Sequence, residues 1–234
     1  MKQVGLWVAV VSLAVAQVAS AQAMVVEQNR VESPRSSMVE FKLGSYLPKI
    51  DSEPGLTGTP YASTFDGAML MLEVQGEAQL YQGFGTAAVA LSVGYAEKFA
   101  RATQLLPGGG TAPSADSTGI RVVPVRLLGT YRFDVAAERW GIPLVPYVKA
   151  GLVGIPYWML KGGSGIRFGY QATGGISLQL DFLDRRFARD FDSGLGVNHS
   201  YLFAEYTWAS VDNFGTGGLV LSHSGWFFGL ALEY

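Results

Sequence analysis

The sequence predicts an all-β chain, an eight-stranded antiparallel up-and-down transmembrane β-barrel. Three observations predict it. Eight segments alternate apolar and polar residues with a period of two, the mark of a strand with two unlike faces. After the first segment no run of 18 apolar residues exists, so spanning helices are excluded and any span must be made of strands. Only 15% of the 234 residues are charged while 49% are hydrophobic, against roughly 25% charged in ordinary soluble domains.

Residues 1–23 read as a signal peptide. Lys2 opens it, Val4 to Val18 form the apolar run, and Ala19-Ser20-Ala21-Gln22-Ala23 offers small residues at alternate places for cleavage after Ala21 or Ala23. A polar arm follows over 24–37, and the barrel domain is expected over 38–234. The first strand sets Val39, Phe41 and Leu43 against Glu40 and Lys42. Residues 68–80 give the clearest pattern, with Leu70, Leu72, Val74, Ala78 and Leu80 opposed to Glu73, Gln75, Glu77 and Gln79. Further strands set Val89, Leu91, Val93 and Tyr95 against Ala88, Ala90 and Ser92, and Val125, Leu127, Tyr131 and Phe133 against Arg126, Thr130 and Arg132. Residues 144–156 oppose Val148, Ala150 and Leu152 to Tyr147, Lys149 and Gly151, and residues 168–178 oppose Phe168, Tyr170 and Ile176 to Gln171, Thr173 and Ser177. Leu202, Ala204, Tyr206 and Trp208 face away from Glu205 and Thr207, and the last strand sets Trp226, Phe228, Leu230, Leu232 and Tyr234 against Gly229 and Glu233.

Between the strands lie Gly, Pro and polar clusters, with tight Tyr81–Gly85 and longer segments at 48–66 and 96–119. Pro124 and Pro146 are expected at a rim or bulge, because proline removes a ladder hydrogen bond. Segment 183–191 is charge-dense with Leu183, Phe187 and Phe191 on one helical stripe, a candidate short helix. With Tyr234 in the periplasm, strand counting puts it on the periplasmic side, where short turns are the rule. Either that helix exists or the count is wrong by one.

Alternation alone does not separate a barrel with its apolar face outward from a soluble one with that face inward. The polar parity decides for the former: Met69, Met71, Ala88, Ala90, Gly94, Gly151, Gly169 and Gly175 suit a crowded interior rather than a wet surface. Ten residues at ~3.3 Å rise and ~45° tilt climb roughly 23 Å, close to the ~25 Å apolar band of a membrane barrel. Aromatics are expected at both water interfaces, with Tyr95, Tyr157, Trp158, Phe168, Tyr170 and Trp208 at one end and Tyr131, Phe133, Tyr147 and Tyr234 at the other.

The final ten residues place Trp226, Phe228, Leu230, Leu232 and Tyr234 at every second position and end on an aromatic. Here the chain resembles small bacterial outer-membrane barrels of the OmpA-like type, without a peptidoglycan-binding domain. The resemblance implies that this strand is read by the barrel assembly machinery. It also implies a bacterial outer-membrane location, with outer-membrane lipid around the barrel.

An eight-stranded lumen is just wide enough for side chains to fill. Glu40, Lys42, Glu73, Glu77, Arg126, Arg132, Lys149 and Glu205 are expected inside as a salt-bridged plug, because an Arg facing the bilayer midplane costs ~2–4 kcal/mol. The expected role is structural or surface interaction, with an extracellular or periplasmic partner of unknown kind. A narrow ion channel and a soluble exported barrel for a small apolar ligand are the alternatives. A lipid hydrolase ranks last: in His199-Ser200 and His223-Ser224 neighbouring strand residues face opposite walls, so base and nucleophile do not meet. Each His is expected at an interface. With no Cys and two His, Cys/His zinc sites and thiol chemistry are excluded, and no cofactor, metal or catalytic residue is expected. A net charge of −2 without a basic block argues against nucleic acid. Gly108-Gly109-Gly110 lacks a following Lys-Ser/Thr and reads as loop, not phosphate site.

Overall fold

The computed structural model describes residues 35–105, 111–160, 162–180 and 197–234. The expected signal peptide, most of the polar arm, the Gly108–Gly110 run and segment 183–191 lie outside them. The strands are β1 (Ser37–Tyr46), β2 (Met69–Gly83), β3 (Gly85–Leu105), β4 (Thr111–Val122), β5 (Val125–Arg132), β6 (Leu144–Leu160), β7 (Ser164–Gln179), β8 (His199–Val211) and β9 (His223–Glu233). Two short helices join them, α1 (Pro60–Phe65) and α2 (Val135–Trp140).

Nine strands make eight staves. Pro124 has no N–H to give to a ladder, so the bonding lapses there and β4 and β5 separate. The register does not: Val122 lies opposite Ala96 and Val125 opposite Val93 on β3, while the same residues face Tyr157 and Gly154 on β6. Each pair steps by three residues on both strands, so β4 and β5 are one stave with a gap at the proline. The Pro124 carbonyl still accepts from Gly94 N–H at 2.8 Å.

Every neighbouring pair is antiparallel, and β1 bonds both β2 and β9, from Met38 opposite Glu233 to Gly44 opposite Phe227. That pairing closes the ring and leaves no free edge within it, which satisfies the backbone without water. The Tyr234 N–H donates to the Ser37 carbonyl at 2.8 Å, stitching the two termini of the barrel together. Both therefore lie at one end, here the terminus end; the other is the loop end.

Alternation sends the apolar parity outward. Leu70, Leu72 and Val74 are 63, 56 and 46% exposed, whereas Glu73 and Glu77 are 5 and 3% exposed. In water such a belt would drive aggregation; in hydrocarbon it is the surface a spanning barrel needs. The arrangement is opposite to that of the soluble barrel with an inward apolar face. Trp158, Phe168, Tyr170, Trp208 and Tyr95 project outward near the loop end, and Tyr131 packs edge-on against outward Phe133 at the terminus end, 4.8 Å between centroids.

Three expectations need correction. Residues 96–119 are not simply loop: β3 runs to Leu105 and β4 begins at Thr111, forming a ribbon that passes the rim, with Thr103 opposite Pro113. Tyr147 and Tyr157 do not sit at the interfaces, because they share the parity of Lys149 and Ile155 and point inward. His223 is not an interface residue either; it is fully buried in the lumen. The strand count stands at eight staves, so β7 ends and β8 begins at the terminus end. Another connection at that end is also long and carries α2, whose C-terminus is closed by Gly141 at φ +63°, a left-handed position that glycine adopts without a Cβ clash.

Candidate functional site

The lumen divides into two layers because the inward parity changes chemistry along the staves. Towards the loop end, Tyr46, Met71, Ile120, Val122, Ile155, Leu221 and Phe227 form one buried apolar cluster. Ile50 and Tyr61 from the connection after β1 lie over it. Asp51 fixes this lid by accepting from Tyr61 N–H at 2.7 Å and Ala62 N–H at 2.9 Å, so a carboxylate meets the first turn of α1. Burial, and then the Asp51 charge, push the Tyr61 phenol up to about 12. The His223 ring packs tilted against that of Tyr46, 4.5 Å between centroids.

Towards the terminus end the lumen is ionic, and all eight charged residues expected there are buried. Lys42 of β1 lies 3.0 Å from Glu205, 3.2 Å from Glu40 and 3.5 Å from Glu73, and donates to Gln75 at 2.9 Å. Lys149 of β6 meets Glu40 at 2.6 Å and Glu205 at 3.1 Å. Arg126 bonds Glu73, and its Nε donates to Gln171 at 2.7 Å. Arg132, nearer the terminus end, touches Glu77 at 3.3 Å and Glu233 at 3.2 Å.

Several participants are not among the eight. Glu233 accepts from Gln79 at 2.6 Å and from Tyr201 at 2.8 Å, and Tyr147 donates its hydroxyl to Glu205 at 2.9 Å. Their signal was parity: Glu233 lies one place from outward Leu232, and Tyr147 two places from Lys149. Gly175 makes the Tyr147 contact possible, because a Cβ there would come within 2.5 Å of the Tyr147 ring and 2.8 Å of Glu205.

The eight charged side chains of the lumen pair with one another. His199 lies at the start of β8 beside Gln179, its Nδ1 3.0 Å from the amide nitrogen, and His223 belongs to the apolar layer at the start of β9. The C-terminal positions Trp226, Phe228 and Leu230 project outward, while the intervening Phe227 and Ala231 face in.

The chain is an eight-stave transmembrane β-barrel. No family model matches the sequence, and no curated protein matches it. Among solved structures it is similar to Neisserial surface protein A (TM-score 0.43, 12% identity, covering 88% of this chain and 100% of that one). It is also similar to Ail of Yersinia pestis, solved with the heparin analogue sucrose octasulfate (0.45, 10%, covering 86% and 100%), and to the outer membrane protein OprG of Pseudomonas aeruginosa (0.49, 10%, covering 87% and 97%).

Proposed function

We propose that this chain is a bacterial outer-membrane barrel with a structural or surface-interaction role and a closed lumen. The observation that carries the reading is the filling of the bore by two stacked layers, one apolar and one ion-paired, inside a ring whose outer face is hydrocarbon-like. An ion moving through it would lose hydration among Met71, Ile155 and Phe227, where few groups replace the lost water. Residues 1–23 direct export, residues 24–37 precede the barrel as an arm, and the alternating aromatic C-terminal strand hands the chain to the assembly machinery. The β3–β4 ribbon, which rises past the rim at the loop end, is the part best placed to meet a partner outside the cell.

Two measurements test this. Unboiled protein from outer-membrane fractions should migrate differently from boiled protein, and identical migration would count against a membrane barrel. In planar bilayers the reading expects no unitary conductance. Steady discrete openings by the purified protein would replace it with the narrow-channel reading.

A further inference from the structure

Among the described residues the three most exposed large apolar side chains are Trp140 at 73%, Phe84 at 71% and Leu80 at 66%. All three lie at the terminus end. Leu80 is the bulged residue near the end of β2, left without a partner between Gln79 and Tyr81, and Phe84 is the turn into β3. Trp140 closes α2, in the connection from β5 to β6.

The two connections make one face, because β3 pairs with β5 and the turn is locked onto that neighbour. The Tyr131 hydroxyl donates to the Phe84 carbonyl. Gly85, at φ +101°, lets the backbones close up, since a Cβ there would come within 2.5 Å of the Arg132 carbonyl oxygen. At the head of α2, Asp134 accepts from the Thr86 hydroxyl of β3. Ala137 packs against the buried cluster that holds Val145 and Tyr147. Beyond Gly141 the Pro143 carbonyl accepts from the Gln179 N–H at 2.8 Å, which returns exposed Ile142 and Leu144 to the outer wall. The exposed rings therefore stand on pinned backbone.

A patch of this kind calls for an apolar neighbour. Continuity selects lipid: exposed Phe133, Ile142 and Leu144 join the patch to the oily belt on β5 and β6. The residue types agree with that choice. Tryptophan settles where hydrocarbon gives way to head groups, and exposed Arg139 beside it carries the charge that suits a lipid phosphate. We propose that the β2–β3 turn and α2 together form a lipid-docking foot, seated in the head-group region of the phospholipid leaflet at the terminus end. The anchor is then carried by a turn and a helix past the strands, not by the strands alone. This inference rests on the outer-membrane reading above.

The test uses the unmodified full barrel, folded into vesicles of phosphatidylethanolamine and phosphatidylglycerol. Hydroxyl radicals are generated by radiolysis in the water on both sides of the bilayer, and oxidation of each ring is read by mass spectrometry relative to the urea-unfolded chain. Phe214, exposed in the loop-end connection between β8 and β9, reports water, and outward Phe228 of β9 reports hydrocarbon. Trp140 and Phe84 should both oxidise several-fold more slowly than Phe214, as Phe228 does. Oxidation of either ring at the Phe214 rate, with Phe228 protected, overturns the foot and leaves that face to a periplasmic protein. Oxidation of Phe228 itself at the Phe214 rate overturns the membrane-barrel reading and the foot with it, so the two failures are distinct.

Discussion

The apolar and ionic halves of the lumen fill the same bore by opposite means. Met71, Ile155 and Phe227 need only fit, whereas Lys42, Lys149 and Glu205 must fit and also find their counter-charges. Apolar packing degrades gradually as atoms are removed. An ion-paired layer fails abruptly, because removing one member strands another in a low-dielectric interior. The halves should therefore respond differently to truncation of comparable size.

The largest expected effect is in the ionic half. Glu205→Ala removes the partner of Lys42, Lys149 and Tyr147 together and should lower unfolding stability by about 3–5 kcal/mol. This is measurable as a fall in the urea midpoint of the mobility shift between folded and unfolded protein. In the apolar half, Ile155→Ala should cost about 2–5 kcal/mol, scaling with the cavity left. Xenon or another apolar gas should recover part of it in that variant and none in Glu205→Ala. Equal recovery in both would erase the distinction between the layers. Gly175→Ala adds a single carbon against Tyr147 and Glu205 and should destabilise by about 1–3 kcal/mol through overpacking. Tyr147→Phe in the same background should not relieve it, because the clash is with the ring as well as the hydroxyl.

The smallest effects belong to the lid. Asp51→Ala frees two N–H groups at the start of α1 and should loosen the 50–65 segment by about 1 kcal/mol, read as faster amide exchange there with the barrel unchanged. Tyr61 adds a pH dependence of known sign. Burial pushes its phenol up from the ordinary 10.0 to about 12, so the folded state holds the proton longer and lid stability falls as pH rises from about 10 to about 12. Tyr61→Phe should remove that slope.

Much of this was legible in the residues, for a simple reason. A strand has a period of two, so one register decision orders every side chain on it, and Glu73 and Glu77 could not be inside unless Leu70, Leu72 and Val74 were outside. Tyr147 and His223 were misplaced because aromatic and imidazole rings suit both an interface and a packed interior. For both, strand parity was the better guide. The apolar half was harder to read, since around Val122, Ile155 and Phe227 both faces of the staves are apolar and alternation fades.

The linear chain by itself determined that this is a barrel of eight staves with an oily exterior and an ionic bore, because hydropathy alternation and strand length are local properties. Which carboxylate meets which cation was decided only by the closed fold. Lys42 and Glu205 are 163 residues apart in sequence, and the shear between β1 and β8 that brings them together is recorded in no single segment.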